Sequence, residues 1–127
     1  MKKQLILDQF ENAFSRLKEA YEINLSEPLA LDGTVQRFEF TFELAWKTLR
    51  VFLEEEGVSC QSPRSCLKAA FKIGWIKNEE NWLSILKARN MTSHIYNEDM
   101  AMDLYEEVKK KYFEFENLIQ EMKNLLD

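Results

Sequence analysis

Phe38-Glu-Phe-Thr-Phe-Glu-Leu-Ala-Trp-Lys-Thr-Leu-Arg-Val-Phe-Leu53 is the stretch that decides the fold of this chain. Its apolar side chains recur every three or four residues, which is the spacing of one face of an α-helix. That face consists of Phe38, Phe42, Ala45, Trp46, Leu49, Phe52 and Leu53. The pattern predicts a helix over about residues 34–56. Gly57 is its natural end, because glycine readily takes the left-handed conformation that follows many helices.

Helical signals extend outward from this stretch in both directions. Toward the amino terminus, apolar residues at helical spacing predict an amphipathic helix over about residues 2–24, and the segment 24–33, which contains a proline and a glycine, breaks it. Toward the carboxyl terminus, Ser62 followed by Pro63 is typical of a helix start. The short helix that begins there is expected to end at Gly74.

Two further helices complete the predicted fold. Asn78 is placed to cap a fourth helix that runs to about Asn90. The last helix is predicted as one element over about residues 97–126, with a long apolar stripe. No alternation typical of strands is sustained anywhere in the sequence. We therefore expect an all-α protein, built as an antiparallel four-helix up-and-down bundle with an additional short helix.

The composition fits one helical domain and limits the classes of function. A chain of 127 residues with 46% hydrophobic and 13% aromatic residues is long enough for one core and too short for two, so we expect a single domain over residues 1–127. The net charge of -5 argues against a protein that coats nucleic acid, because such binding depends on a basic surface. A local basic pocket around Arg89 remains compatible with this charge.

The amino terminus and the cysteines indicate the compartment. Met-Lys-Lys is followed by only three apolar residues, which is too few for a signal peptide, and no apolar run approaches the length of a membrane span. We expect a cytoplasmic protein without membrane contact. On that ground Cys60 and Cys66 are predicted to be reduced, partly buried thiols. Neither belongs to a Cys-x-x-Cys or Cys/His cluster, so no metal site and no cofactor is expected.

The residues that carry chemistry are concentrated in Lys87-Ala-Arg-Asn-Met-Thr-Ser-His-Ile-Tyr-Asn97, which holds the only histidine. A guanidinium, an imidazole and a phenol within eight positions suit the handling of phosphate. Arg89 and His94 are five positions apart, so an uninterrupted helix would turn their side chains roughly 140° apart. Because poor helix formers lie between them and Asn97 resembles a cap, the motif is placed at a helix end and the following turn. There His94 and Tyr96 would point the same way.

This motif carries a resemblance to a known family. Arg-x4-His-x-Tyr, with Asn90 directly after Arg89 and a bundle-like helical context, resembles the HEPN superfamily. Within that superfamily the chain is similar to the small nucleotidyltransferase substrate-binding proteins, which are encoded beside a minimal nucleotidyltransferase. The resemblance covers nearly the whole chain, including residues 38–47 and Ser62-Pro63-Arg64.

The resemblance implies a metal-independent ribonuclease that serves as the toxin of a toxin-antitoxin pair. The implied catalytic residues are His94, as a general base or acid on a ribose 2′-hydroxyl, and Arg89, as the group that stabilises charge on the phosphate oxygens. Arg89, Asn90 and His94 would bind the RNA or nucleotide. The resemblance also implies a homodimer, in which two Arg/His pairs face a shared cleft.

Tyr96 is the residue that the resemblance connects to the partner. In the similar toxin-antitoxin pairs, the tyrosine of this motif receives AMP groups from the nucleotidyltransferase, and the modification silences the nuclease. Tyr96 is thus the implied modification site, and a minimal nucleotidyltransferase is the implied partner. An attached adenylate would add negative charge where RNA phosphate must bind. The alternative is that the ring of Tyr96 simply packs against the bundle.

Other interpretations of these residues stay open. The chain is alternatively a non-catalytic subunit that binds nucleotide or substrate for the nucleotidyltransferase, with Arg89 and His94 holding phosphate only, or a plain helical dimerisation module. Glu39, Glu43 and Lys47 repeat every four residues, which favours a solvated, salt-bridged helix face over a cleft lining. Phe40 lies off the apolar stripe, which favours a protein interface.

Overall fold

A computed structural model describes residues 2–126 and shows an all-helical fold in that range, without a strand. The helices are α1 (Lys2–Glu22), α2 (Ala30–Glu55), α3 (Pro63–Ile73), α4 (Glu79–Met91), α5 (Glu98–Lys111) and α6 (Phe113–Leu126). A single turn of 3-10 helix, Thr92–His94, follows α4. The predicted all-α class is confirmed.

Contacts between the helices define an up-and-down arrangement. The Thr41 hydroxyl donates to the Ala13 carbonyl oxygen at 3.1 Å, and Lys3 of α1 pairs with Glu55 of α2, so these two helices run antiparallel. α4 runs antiparallel to α2 and to the pair α5 and α6, while α6 packs against α1. The four members of the bundle are therefore α1, α2, α4 and the α5–α6 pair, and α3 is the additional short helix.

Aromatic side chains fill the centre of the bundle, as the stripe on α2 predicts. The ring of Phe115 is fully buried and lies near four other aromatic rings, from α1, α2 and α4. Phe38, Phe42, Leu49 and Leu53 of α2 are each no more than 1% exposed. α2 contacts all five other helices, so this buried stripe organises the whole core.

The start of α2 lies earlier than predicted. Gly33 is inside the helix, which begins at Ala30. The break is made by the turns before it, where the Asn24 side chain accepts from the Ser26 amide at 2.9 Å and Leu29 takes a left-handed conformation with φ of 69°. One glycine in a helix costs only about 1 kcal/mol, which the packing of α2 readily outweighs.

The last predicted helix is in fact two helices, since α5 ends before Tyr112 and α6 begins after it. The Tyr112 amide still bonds to the Val108 carbonyl at 2.8 Å, but the Phe115 amide bonds to the Tyr112 carbonyl at 3.0 Å, which is a tighter turn. The ring of Tyr112 packs against Phe14 and Tyr21 of α1, with ring centres 6.0 and 5.0 Å apart. This contact across the bundle cannot be predicted from the local sequence pattern.

The prediction of reduced cysteines is wrong, because Cys60 and Cys66 form a disulfide. Their Cα atoms lie 5.2 Å apart, since Cys60 ends the loop after α2 and Cys66 lies in the first turns of α3. Both are buried. Within residues 2–126 no group of three or more His, Cys, Asp or Glu side chains is arranged to hold a metal ion. None of the described helices combines the length and apolar character that a membrane span requires.

The predicted start and end of α3 are confirmed and allow a first test. Ser62 accepts from the Ser65 amide at 3.2 Å, and the Ser65 hydroxyl accepts from the Ser62 amide at 3.1 Å, a reciprocal cap. We expect Ser62→Ala to lower the free energy of unfolding by about 1 kcal/mol in urea denaturation. Ser59→Ala is the matched control, because Ser59 is exposed outside any helix, and a loss as large as that of Ser62→Ala would contradict the capping role.

Candidate functional site

The motif lies where the sequence places it, at a helix end and the turn that follows. α4 ends at Met91, the 3-10 turn follows, and Ile95 has an extended backbone with φ of -88° and ψ of 118°. Asn97 then caps α5, its side chain accepting from the Met100 amide at 2.9 Å. Arg89 and His94 therefore belong to different elements, which removes the opposed orientation that one continuous helix would impose.

Arg89 extends from the last turn of α4 toward α2 and is held by two carboxylates. Its Nη2 lies 3.2 Å from Oε1 of Glu43, and its Nη1 lies 3.7 Å from Oε2 of Glu39. Nη1 also donates to the Thr92 hydroxyl at 3.1 Å. The side chain is 27% exposed, and its Nε is buried without a hydrogen-bond partner among the described residues. The guanidinium is thus held in place by three side chains, and the Arg89 side chain remains partly accessible to solvent.

Glu43 is itself fixed by a buried indole. Its second oxygen, Oε2, accepts from Nε1 of Trp46 at 2.9 Å, and Trp46 is only 8% exposed. Each carboxylate oxygen of Glu43 therefore has its own donor, one on α2 and one on α4. A carboxylate held on both sides orients the guanidinium that it pairs with more firmly than a free surface glutamate does.

Thr92 connects the 3-10 turn to the same cluster. Its hydroxyl lies 3.1 Å from Oε2 of Glu39 and 2.7 Å from the carbonyl oxygen of Arg89, with one proton to donate between them. Glu39 thereby contacts both the Arg89 guanidinium and the first residue of the turn that ends at His94. The position of this turn relative to α2 depends on these polar contacts.

His94, Tyr96 and Asn90 lie outside this cluster and face solvent. His94 and Asn90 are exposed, and Tyr96 is 79% exposed, so the alternative in which its ring packs against the bundle is wrong. Ile95 between them has an extended backbone and packs against the core, and the residues on either side of it, His94 and Tyr96, are exposed. Within residues 2–126, no hydrogen bond or ion pair joins His94 to Arg89.

Four residues of the cluster have contacts that the sequence pattern does not predict. Helical spacing predicts a solvated, salt-bridged face for Glu39 and Glu43, and both are part-exposed and salt-bridged, but their partner is Arg89 of α4, which the spacing does not indicate. The pattern marks Thr92 only as a poor helix former and Trp46 only as a core residue. The one available signal is the spacing of Glu43 and Trp46, which puts a carboxylate beside an indole one turn away on the same helix.

A cavity of about 560 Å³ opens beside Tyr96, and we call it the Tyr96 pocket. Its walls are the loop before α2, the start of α2 and the segment from Ile95 into α5. Glu27, Asp32 and Glu98 bring three carboxylates to its lining. The phenol therefore stands at the edge of an acidic, open cavity.

Comparisons with known proteins agree with this architecture. A family model described as "Nucleotidyltransferase substrate binding protein like" matches residues 5–124. A probable ribonuclease HepT from Haemophilus influenzae is 26% identical over 96 residues, which are 72% of this chain and 66% of that protein. The match thus spans just under two thirds of that relative.

Two solved structures share the helical fold. One is the crystal structure of a Thermus thermophilus protein, with a TM-score of 0.81 and 29% identity over 89% of this chain and 98% of the other. The second is a Haemophilus influenzae protein whose structure is described as the fold of a substrate binding domain of a nucleotidyltransferase. It has a TM-score of 0.81 and 22% identity over 92% of this chain and 98% of the other.

Proposed function

This chain belongs to the nucleotidyltransferase substrate-binding protein family, and from that membership we propose that it works with a separately encoded minimal nucleotidyltransferase as a HEPN-type ribonuclease toxin. The ribonuclease activity is supported by the fixed guanidinium of Arg89. It lies a few residues in the chain from the exposed imidazole of His94 and the exposed phenol of Tyr96. The similarity to a probable ribonuclease supports the same activity.

The proposed reaction needs no redox partner, because it exchanges one phosphorus–oxygen bond for another. His94 takes the proton of a ribose 2′-hydroxyl, and the 2′-oxygen forms a bond to the adjacent phosphorus. The bond from phosphorus to the 5′-oxygen breaks, which leaves a 2′,3′-cyclic phosphate and a 5′-hydroxyl. Arg89 stabilises the negative charge that grows on the non-bridging oxygens. Asn90 binds the RNA next to this phosphate.

The 5′-oxygen must gain a proton as it leaves, and one imidazole cannot be base and acid in the same step. We therefore propose that the chain is a homodimer in which the partner's His94 supplies that proton. The dimer also brings two Arg89 guanidiniums to one cleft without making the whole protein basic. The oligomeric state in solution, measured by light scattering, tests this part directly.

The carboxylates around Arg89 must allow phosphate to approach. Two glutamates beside one guanidinium leave a local net negative charge in the free chain. The 3.7 Å contact with Glu39 is the longer one, so a phosphate oxygen replaces it at Nη1. The 3.2 Å contact with Glu43, which Trp46 holds in place, keeps the guanidinium oriented during this exchange.

The alternative function is that of a non-catalytic nucleotide- or substrate-binding subunit. It is favoured by the same carboxylates, because they already neutralise Arg89, and by the description of a structural relative as a substrate binding domain. Incubation of the purified chain with cellular RNA in excess EDTA separates the two functions. Cleavage supports the ribonuclease, whereas RNA or nucleotide binding without cleavage supports the subunit.

Tyr96→Phe tests the proposed control of the ribonuclease by the nucleotidyltransferase. We expect this variant to cleave RNA like the wild type, because the phenol oxygen takes no part in the chemical step. It should also resist silencing by the nucleotidyltransferase and ATP, since its acceptor oxygen is gone. Mass spectrometry should detect AMP on the wild type and on Tyr112→Phe, a control whose ring is half-buried in the bundle. AMP on Tyr96→Phe, together with its silencing, would rule out Tyr96 as the acceptor.

A further inference from the structure

Three neighbouring cavities share lining residues in turn, and two of them are lined by the glutamates that pair with Arg89. The α1–α2 groove, of about 640 Å³, includes Gln36 and Glu43 in its lining. A smaller cavity of about 270 Å³, which we call the motif notch, is lined by Gln36, Glu39 and Thr92 among others. The notch shares Asp32 and Ile95 with the Tyr96 pocket. Glu39 and Glu43, which hold Arg89, line the notch and the groove respectively, so a chain-like ligand at Arg89 has two directions in which to leave the site.

The two ends of this series of cavities have opposite charge. The α1–α2 groove is lined by Arg16, Arg37 and Lys47, and its one carboxylate, Glu43, is paired with Arg89. The Tyr96 pocket, by contrast, presents only carboxylates among its charged residues. A polyanion is attracted to the first end and repelled from the second.

The cations of the groove are available for a ligand. Arg16 and Lys47 make no ion pair with any residue between 2 and 126, and both are exposed. Arg37 crosses from α2 to α1, where it donates to the Arg16 carbonyl oxygen at 2.9 Å and lies 3.9 Å from Glu19. Two of the three cations are therefore free to contact phosphates.

An exposed aromatic ring lies among these cations. Phe40 is 56% exposed and lines the α1–α2 groove. Sites for single-stranded nucleic acid combine a positively charged groove with aromatic rings on which bases stack. The volume of the groove is also within the range of cavities that hold one small ligand, such as a nucleotide.

We propose that the α1–α2 groove binds the single-stranded RNA next to the cleaved phosphate, with a base on Phe40 and phosphates on Arg16 and Lys47. This proposal rests on the proposed ribonuclease function and adds the direction of the RNA, which leaves Arg89 toward α1 and away from Tyr96. A second copy of the chain fits the groove less well, because a two-fold contact there would bring the same cations together.

Binding of a fluorescent 2′-O-methyl oligoribonucleotide, measured by anisotropy over a range of salt concentrations, tests the groove. This probe has no free 2′-hydroxyl and cannot be cleaved by the proposed route. We expect Arg16→Gln/Lys47→Gln to reduce the slope of log affinity against log salt by about 1.4, because each lost phosphate contact on a single strand contributes about 0.7. Phe40→Ala should weaken binding roughly tenfold and leave the slope unchanged.

The matched control is Lys72→Gln/Lys110→Gln, which removes the same charge from exposed positions outside the groove. Equal slopes for the groove variant, this control and the wild type overturn the proposal. A change from dimer to monomer in the groove variants also overturns it, since the groove is then an interface between copies. If the groove variant binds and cleaves RNA like the wild type while Arg89→Ala does not cleave, RNA binding in the groove is refuted and the ribonuclease activity is supported. A wild-type chain that neither binds nor cleaves RNA refutes both.

Discussion

Phe115→Ala is expected to lower the free energy of unfolding by about 3–5 kcal/mol, which is the usual loss for a large aromatic side chain in a core. The ring of Phe115 is fully buried, with ring centres 6.2 Å from Phe10, 6.0 Å from Phe14, 6.4 Å from Phe38 and 5.5 Å from Trp82. Its removal leaves a cavity shared by three helices in addition to α6. Urea denaturation followed by circular dichroism measures the effect.

Phe113→Ala is the matched control for this variant. Phe113 lies two residues earlier on α6 and is 49% exposed, so its loss should change the free energy of unfolding by less than about 1 kcal/mol. If both variants lose the same free energy, the ring of Phe115 does not occupy the centre of the core. Small domains have free energies of unfolding of about 5–15 kcal/mol, so this loss is a large and measurable share of the total.

His94→Ala is expected to reduce the rate of RNA cleavage by about 10²- to 10⁴-fold, the usual contribution of a general acid or base. Its fold should be unchanged, because the side chain is exposed and makes no hydrogen bond within the described residues. Arg89→Ala should reduce cleavage by about 10²- to 10³-fold through lost stabilisation of the transition state. Both rates are measured at saturating RNA in EDTA.

Arg89→Lys is the matched control for the guanidinium. It keeps the positive charge, but a lysine has no planar fork with which to contact Glu43 and Thr92 at once. We therefore expect a cleavage rate between those of the wild type and Arg89→Ala. Rates for His94→Ala and Arg89→Ala that equal the wild-type rate would assign the cleavage to other residues or to a contaminant.

The helices are predictable from the sequence wherever their signals are local. Ser62, Pro63 and Gly74 mark both ends of α3, and the stripe on α2 identifies the core face. The turn at Tyr112 is not predictable, because it accompanies packing of that ring on α1. The disulfide is not predicted, for a different reason. The prediction of reduced thiols rests on the cellular compartment, which does not show how close the two cysteines lie in the fold.

The sequence predicts the motif of the candidate site but not the side chains that surround it in the fold. The sequence identifies Arg89, His94 and Tyr96 as neighbours in the chain and places them correctly at the end of α4. The carboxylates that hold Arg89 come from α2, 46 residues away for Glu43. Helical spacing predicts a salt-bridged face for such glutamates but not their partner, because it does not show which helix packs against which face.

The most direct test of the account is the chemistry of the RNA ends that the wild-type chain produces in EDTA from a defined oligoribonucleotide. The proposed attack by the 2′-oxygen predicts a 2′,3′-cyclic phosphate on one product and a 5′-hydroxyl on the other, with no cleavage where a single 2′-deoxy nucleotide replaces the attacking ribose. The proposed ribonuclease mechanism is contradicted if the oligonucleotide stays intact, if cleavage appears only after a metal ion is added, or if the deoxy position is cut equally fast.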